Sequence, residues 1–168
     1  DSYLTVSPQI IIISDDPVCI DDTLRLSEAG GYATMWTWTS NGSATIIDFE
    51  DSTTQVVGMT NGEIFTVSVE DDNGCTNSDD ISITVNPKPS NVTSNAYGTH
   101  CSSDAPFALA GGSPVGGYYD GPGVSNNNYD PSSAGYGSTL VSVDLMYIYT
   151  DANGCKDTAI NPVNVQLA

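Results

Sequence analysis

The chain has almost no basic residues. Arg25, Lys88 and Lys156 are the only three, set against 21 aspartates and glutamates, for a formal net charge of −18 over 168 residues. A surface of that sign repels phosphate backbones, which excludes a nucleic-acid partner, and it repels anionic lipid as well. No apolar run approaches the roughly 18 residues needed to cross a bilayer; Ile10–Ile13 is a strand-length burst. The four cysteines include no C-x-x-C pair, which argues against zinc ribbons and dithiol redox chemistry. There is one histidine, His100, and no nucleophile elbow, Walker loop or dinucleotide fingerprint. His100 and Cys101 are neighbours, and neighbours on a strand point to opposite faces, so they do not make a catalytic pair. The expectation is a non-enzyme.

Lys, Arg, Glu, Gln and Leu, the usual helix fillers, are scarce, while Gly, Pro, Asn, Ser, Thr and Asp are abundant. Val, Ile, Thr and Tyr supply the apolar stretches. This is the composition of an all-β chain of short strands.

The chain repeats itself. Asp71, Asn73, Gly74 and Cys75 recur as Asp151, Asn153, Gly154 and Cys155, each 80 residues later. Upstream, Cys19 precedes Cys75 by 56 residues and Cys101 precedes Cys155 by 54. Each early cysteine is followed by an acidic residue, an alternating apolar stretch and Gly-Gly. The predicted architecture is two tandem Ig-like or PKD-like β-sandwich modules. The first covers residues 8–86 and the second 87–168, with a Gly- and Tyr-rich loop region in the second. The junction is the proline-bracketed stretch Val85–Ser94. "YLTVSP" at the start mimics "SITVNP" at Ser82–Pro87, so residues 1–7 read as the tail strand of a preceding module in a longer array. The opening "DSYLTVSP" has neither the basic start nor the apolar core of a signal peptide.

Within the first module Ile64–Glu70 alternates, placing Phe65, Val67 and Val69 on one face. Asn-Gly then predicts a hairpin, since both residues tolerate positive φ. Ile81, Ile83 and Val85 share a face of the return strand. Leu145, Tyr147 and Tyr149 are the matching set in the second module, whose return strand is expected from Ala159 to Leu167, weakened or bulged at Pro162. Trp36 and Trp38 sit on one side of a strand and read as core.

Four cysteines allow three pairings. The repeat selects Cys19–Cys75 and Cys101–Cys155, one bridge per module, each worth about 4 kcal/mol on the chain-entropy model. Such bridges would bring Asp21, Asp22 and Asp71 to one end of the sandwich. Together with Asn73, Asp151 and Asn153 these are candidate calcium ligands, competing with simple solvated turns; no other cofactor is implied. Tyr118, Tyr119, Tyr129 and Tyr136 are candidates to stack on sugar rings, or alternatively to plug loops against the sheet. Asn41 and Asn91 head formal N-glycan acceptors.

C-x-x-D, then L-x-L, G-G, W-x-W and V-x-V-x-D-x-N-G-C in the first half, with "GGSPVGGYYDGPGV" and "YTDANGC" in the second, resemble the PKD-like and Ig-like repeats of large Bacteroidota cell-surface proteins, gliding-motility adhesins among them. That resemblance implies tandem extracellular β-sandwiches exported by the type IX system, serving as spacers or stalk repeats of an adhesin. Their partners would be neighbouring repeats of the same chain, with a surface polysaccharide as the alternative ligand.

Overall fold

The structure, a computed structural model, is described for residues 7–168. The tail strand expected at Tyr3–Val6 lies outside the described residues. The chain divides into two compact units, Asp1–Pro87 and Lys88–Ala168. Among the described residues there is no α-helix.

The first unit carries β1 (Ile12–Ser14), β2 (Val18–Cys19), β3 (Leu24–Glu28), β4 (Met35–Ser40), β5 (Thr45–Ile46), β6 (Thr53–Val57), β7 (Ile64–Glu70), β8 (Thr76–Ser82) and β9 (Val85–Asn86). One sheet runs β1-β3-β6-β5 and the other β4-β7-β8. The alternation read in the sequence decides which side chains face inward. Leu24 and Leu26 of β3 and Val56 of β6 meet Trp38 of β4 and Phe65, Val67 and Val69 of β7 in one buried cluster. Burying each such side chain is worth about 1.5–3 kcal/mol. Both tryptophans keep a polar partner: Trp38 Nε1 donates to the Asp51 carbonyl at 2.9 Å, and half-buried Trp36 donates to Glu28 Oε2 at 3.0 Å.

A second device closes this sandwich. Short strands β2 and β9 pair in parallel, Val18 opposite Val85 and Cys19 opposite Asn86. The Val18 amide donates to the Thr84 carbonyl at 3.2 Å and the Ile20 amide to the Asn86 carbonyl at 2.9 Å. The first and last parts of the unit therefore run side by side in the same direction.

The second unit contains β10 (Thr99–Cys101), β11 (Phe107–Ala108), β12 (Tyr118–Asp120), β13 (Val124–Ser125), β14 (Asn128–Tyr129), β15 (Leu140–Thr150) and β16 (Lys156–Gln166), with one 3-10 turn at Pro131–Ala134. The larger sheet is ordered β10-β16-β15-β12 and the smaller β11-β14-β13. Leu109, Tyr129, Leu145, Val163 and Val165 form the core. Again the early strand β10 lies parallel to the last strand, with Thr99, His100 and Cys101 opposite Asn164, Val165 and Gln166.

Two local expectations are revised here. The return strand starts earlier than Ala159, at Lys156, and its pairing with β15 passes through Pro162 opposite Asp144 without a bulge. The reason is the direction in which the proline nitrogen points. Asn164, two residues on, donates away from β15 to the Gly98 carbonyl at 3.0 Å. By the period of two, the Pro162 nitrogen faces the same outer side, where the ladder with β15 needs no donor. In the glycine-rich region, β13 and β14 form a two-residue hairpin in which Asn126 and Asn127 both have positive φ (50° and 59°). That is the turn type asparagine pairs favour.

Candidate functional site

The repeated chemistry of the chain is gathered at the two ends of each unit. At the hairpin end of the first unit, the Asp71 amide donates to the Cys75 carbonyl and the Gly74 amide to the Asp71 carbonyl, both at 3.0 Å. The Asp71 carboxylate turns back into this loop, accepting from the Asn73 amide at 2.8 Å and the Cys75 amide at 2.9 Å on a single oxygen. Gly74 sits at φ 79°, which a glycine takes without strain. The bond from Cys75, with that from Asn73, holds the Asp71 carboxyl below its ordinary range against a smaller opposing effect of burial. The second unit repeats the loop: Asp151 accepts from the Asn153 and Cys155 amides, both at 2.9 Å, and Gly154 takes φ 84°.

The opposite end, where each unit's last strand finishes, carries the C-x-x-D pattern. The Cys19 amide donates to Asp22 Oδ2 at 3.3 Å while the Asp22 amide donates to the Cys19 carbonyl at 3.0 Å. Cys101 and Asp104 make the same reciprocal pair, at 2.9 and 3.0 Å. The aspartate three residues after the cysteine thus closes a tight turn as the chain leaves the parallel strand. This role was missed in the sequence, although the identical spacing in both halves signalled it.

These positions correct the expected disulfides. Cys19 lies opposite Asn86, at the far end of the return strand, whereas Cys75 lies immediately before that strand begins. Eleven extended residues between Cys75 and Asn86 span on the order of 30 Å. In the second unit Cys101 lies opposite Gln166 and Cys155 precedes Lys156, with the same separation along β16. A disulfide requires Cα atoms within about 7 Å, so neither Cys19–Cys75 nor Cys101–Cys155 forms. Cys75 and Cys101 are free thiols, Cys75 half-buried and Cys101 exposed, while Cys19 and Cys155 are in the disulfide state.

The same geometry separates the calcium candidates. Asp21 and Asp22 flank the Cys19 turn, and Asp71 and Asn73 lie at the hairpin end, so they do not converge. Asp151 and Asn153 belong to the hairpin of the second unit. The inward oxygen of both Asp71 and Asp151 is occupied by two amide donors. Among the described residues no group of three or more His, Cys, Asp and Glu side chains is placed to hold a metal ion.

The tyrosines divide. Tyr129 is fully buried in the second core, edge-on to Phe107 with ring centroids 5.7 Å apart. Tyr119 is half-buried and packs on Tyr147 at 4.9 Å. Burial raises the pKa of both phenols; for Tyr119 the neighbouring Tyr97 adds to it. Tyr118 on β12 and Tyr136 in the loop before β15 remain exposed, at 48% and 81%. His100 is a structural group: its ring stacks on Phe107 at 4.2 Å, Nε2 donates to the Tyr97 carbonyl at 3.0 Å, and Nδ1 lies 3.6 Å from Asp104 Oδ2.

No protein-family model matches the chain, and no curated protein matches it. Among solved structures, the chain is similar to the PKD domain from KIAA 1837 protein, with 16% identity over 51% of this chain and 93% of that domain and a TM-score of 0.42. It is also similar to the N-terminal Ig1-2 module of the Drosophila receptor protein tyrosine phosphatase DLAR, at 11% identity over 97% of this chain and 100% of that one, TM-score 0.34. A third is the Bacteroides ovatus mixed-linkage glucan utilization locus protein SGBP-B in complex with a mixed-linkage heptasaccharide. It is 17% identical, the match covers 98% of this chain and 48% of that protein, and the TM-score is 0.39. At such low identities and scores, the all-β sandwich reading rests on the strand topology above.

Proposed function

We propose that the chain is a pair of spacer modules from a large extracellular surface protein, and that its work is mechanical. The observation that carries this is the parallel pairing of each unit's early and last strands. In the reduced chain, pulling a unit by its two chain ends draws β2 against β9, or β10 against β16, in opposite directions along the strand axis. Their hydrogen bonds are then loaded together and must fail together, instead of opening one at a time. Asn161 adds a side-chain clasp in the second unit, donating to the Ser94 carbonyl at 3.2 Å and to its hydroxyl at 2.7 Å. The acidic surface keeps exposed spacer modules soluble. The resemblance to Bacteroidota surface repeats supports an adhesin or gliding-motility protein exported by the type IX route as the parent, with neighbouring repeats as the immediate partners.

The test is to stretch single molecules of Ile20→Pro. This substitution removes the amide that donates to Asn86. The expected result is a lower unfolding force for the first unit, with the second unit unchanged as an internal reference. Unchanged force in both units would remove the mechanical role of the clasp.

A polysaccharide-binding reading is favoured by one observation, the exposure of Tyr118 and Tyr136. It would replace the spacer reading if insoluble polysaccharides bound the chain saturably and Tyr118→Ala abolished that binding.

A further inference from the structure

An asparagine followed by glycine is chemically labile. The glycine nitrogen attacks the asparagine carboxamide carbon, and glycine has no Cβ to hinder the approach. The sequence contains four such pairs, Asn41-Gly42, Asn61-Gly62, Asn73-Gly74 and Asn153-Gly154. All four asparagines are exposed, so neither dipeptide nor exposure separates them. Their hydrogen bonds do. Asn41 Oδ1 accepts from the Ile64 amide at 3.0 Å, and the Asn41 amide donates to the Ile64 carbonyl at 3.1 Å. Asn61 Oδ1 accepts from the Val85 amide at 3.0 Å, and the Gly62 amide donates to the Ile83 carbonyl at 2.9 Å. These two carboxamides are tied to residues 23 and 24 positions away. Turning either one toward its glycine nitrogen first requires a bond to another strand to break.

The two hairpin pairs are held only within their own turns. The Gly74 and Gly154 amides donate to the Asp71 and Asp151 carbonyls, at 3.0 and 3.1 Å. The Asn73 carboxamide also interacts with the Asp71 carboxylate. Among the described residues no hydrogen bond holds the Asn153 carboxamide, and the space beside Gly154 is open. Opening one turn therefore frees both reacting groups at Asn153, and local openings of this kind cost much less than unfolding a unit. We propose that Asn153 is a site of spontaneous deamidation in the folded protein, and that the hairpin of the second unit ages ahead of the first. The inference does not depend on the mechanical reading.

The Gly154 nitrogen gives its proton to base and attacks Asn153 Cγ. The new carbon–nitrogen bond closes a succinimide ring, and the side-chain nitrogen leaves as ammonia. Water then opens the ring at one of its two carbonyls. Addition at Cγ restores the main chain and leaves an aspartyl side chain. Addition at the main-chain carbonyl leaves an isoaspartyl linkage, in which the chain runs through Cγ. In sum, water is consumed and ammonia released, with no oxidant or reductant. The isoaspartyl form lengthens the main chain by a carbon between Asp151 and Cys155. One Asp151 oxygen then no longer accepts from both the residue 153 and Cys155 amides, each now at 2.9 Å. Either product adds a negative charge beside Asp151.

The experiment incubates the purified 168-residue chain in mildly alkaline buffer made with heavy-oxygen water, one sample folded and one in guanidinium. Peptide mapping by mass spectrometry follows the heavy oxygen at each asparagine, and electron-transfer fragmentation identifies the isoaspartyl form. In the folded sample Asn153 is expected to convert first and Asn73 more slowly. Asn41 and Asn61 are expected to lag Asn153 by about tenfold or more, the factor that one hydrogen bond of ordinary strength supplies. In guanidinium the four rates converge. Asn153→Gln, whose longer side chain needs a larger ring, abolishes the label at that position and leaves the other three rates unchanged. Three results would overturn the proposal: equal rates at the four pairs in the folded protein, faster conversion of Asn41 or Asn61 than of Asn153, or a ranking that persists unchanged in guanidinium.

Discussion

Asp71 shows how one side chain decides between two readings of the same motif. Its carboxylate accepts two amide hydrogens of its own loop, so the acidic hairpin is a self-capped turn. The charge stabilises the fold by the amount its pKa falls below that of the unfolded chain. Since the folded value is the lower one, this contribution is present above the ordinary aspartate range near 3.9 and is lost as pH falls through the folded value. Asp71→Asn is therefore expected to weaken the first unit at pH 7 and to approach the native protein at strongly acid pH. Denaturant midpoints measured at both pH values check this, and a constant gap between the two proteins would contradict it. Buried Glu63 belongs to the same class. Burial alone would push its pKa up, but bonds from Ser40, Thr60 and Ala44 hold it below the usual range.

At the scale of elements, the alternating runs were legible because one face of each strand is buried and the other is not. Phe65, Val67 and Val69, and Leu145 and Tyr147, are all inside as the period of two requires. The hairpins were legible because Asn73-Gly74 and Asn153-Gly154 each stand just after an alternating apolar run. What the sequence did not disclose was which strands pair at long range. The parallel pairing of early and last strands leaves no periodic trace, and assuming that the repeated cysteines bridge within a module placed both at one end. The bulge expected at Pro162 failed for a related reason: whether a proline breaks a ladder depends on which way its nitrogen faces. Pro162→Ala is accordingly expected to change stability by no more than about 1 kcal/mol, the scale of the lost proline constraint on the unfolded chain. A large gain on substitution, read from chemical denaturation, would mean that the proline is straining β16.

At the scale of the whole molecule, two units share one plan in which the chain enters beside one part of the last strand and leaves at its far end. Charge, hairpins and capped turns are compatible with many roles; in the proposed spacer reading, the parallel clasp is the element that would resist force along the strands and not across them. The most direct measurement of this is single-molecule pulling along two axes of the same unit. In the reduced protein, one attachment uses the ends of the first unit, and the other uses the two sides of the β7–β8 hairpin at Ile64 and Ser82, which face each other at its open end, so that the ladder opens one pair at a time. A clearly higher unfolding force is expected through the ends than across the hairpin. Equal forces along both axes would contradict it, and the parallel strands would then be a feature of the fold without a mechanical role.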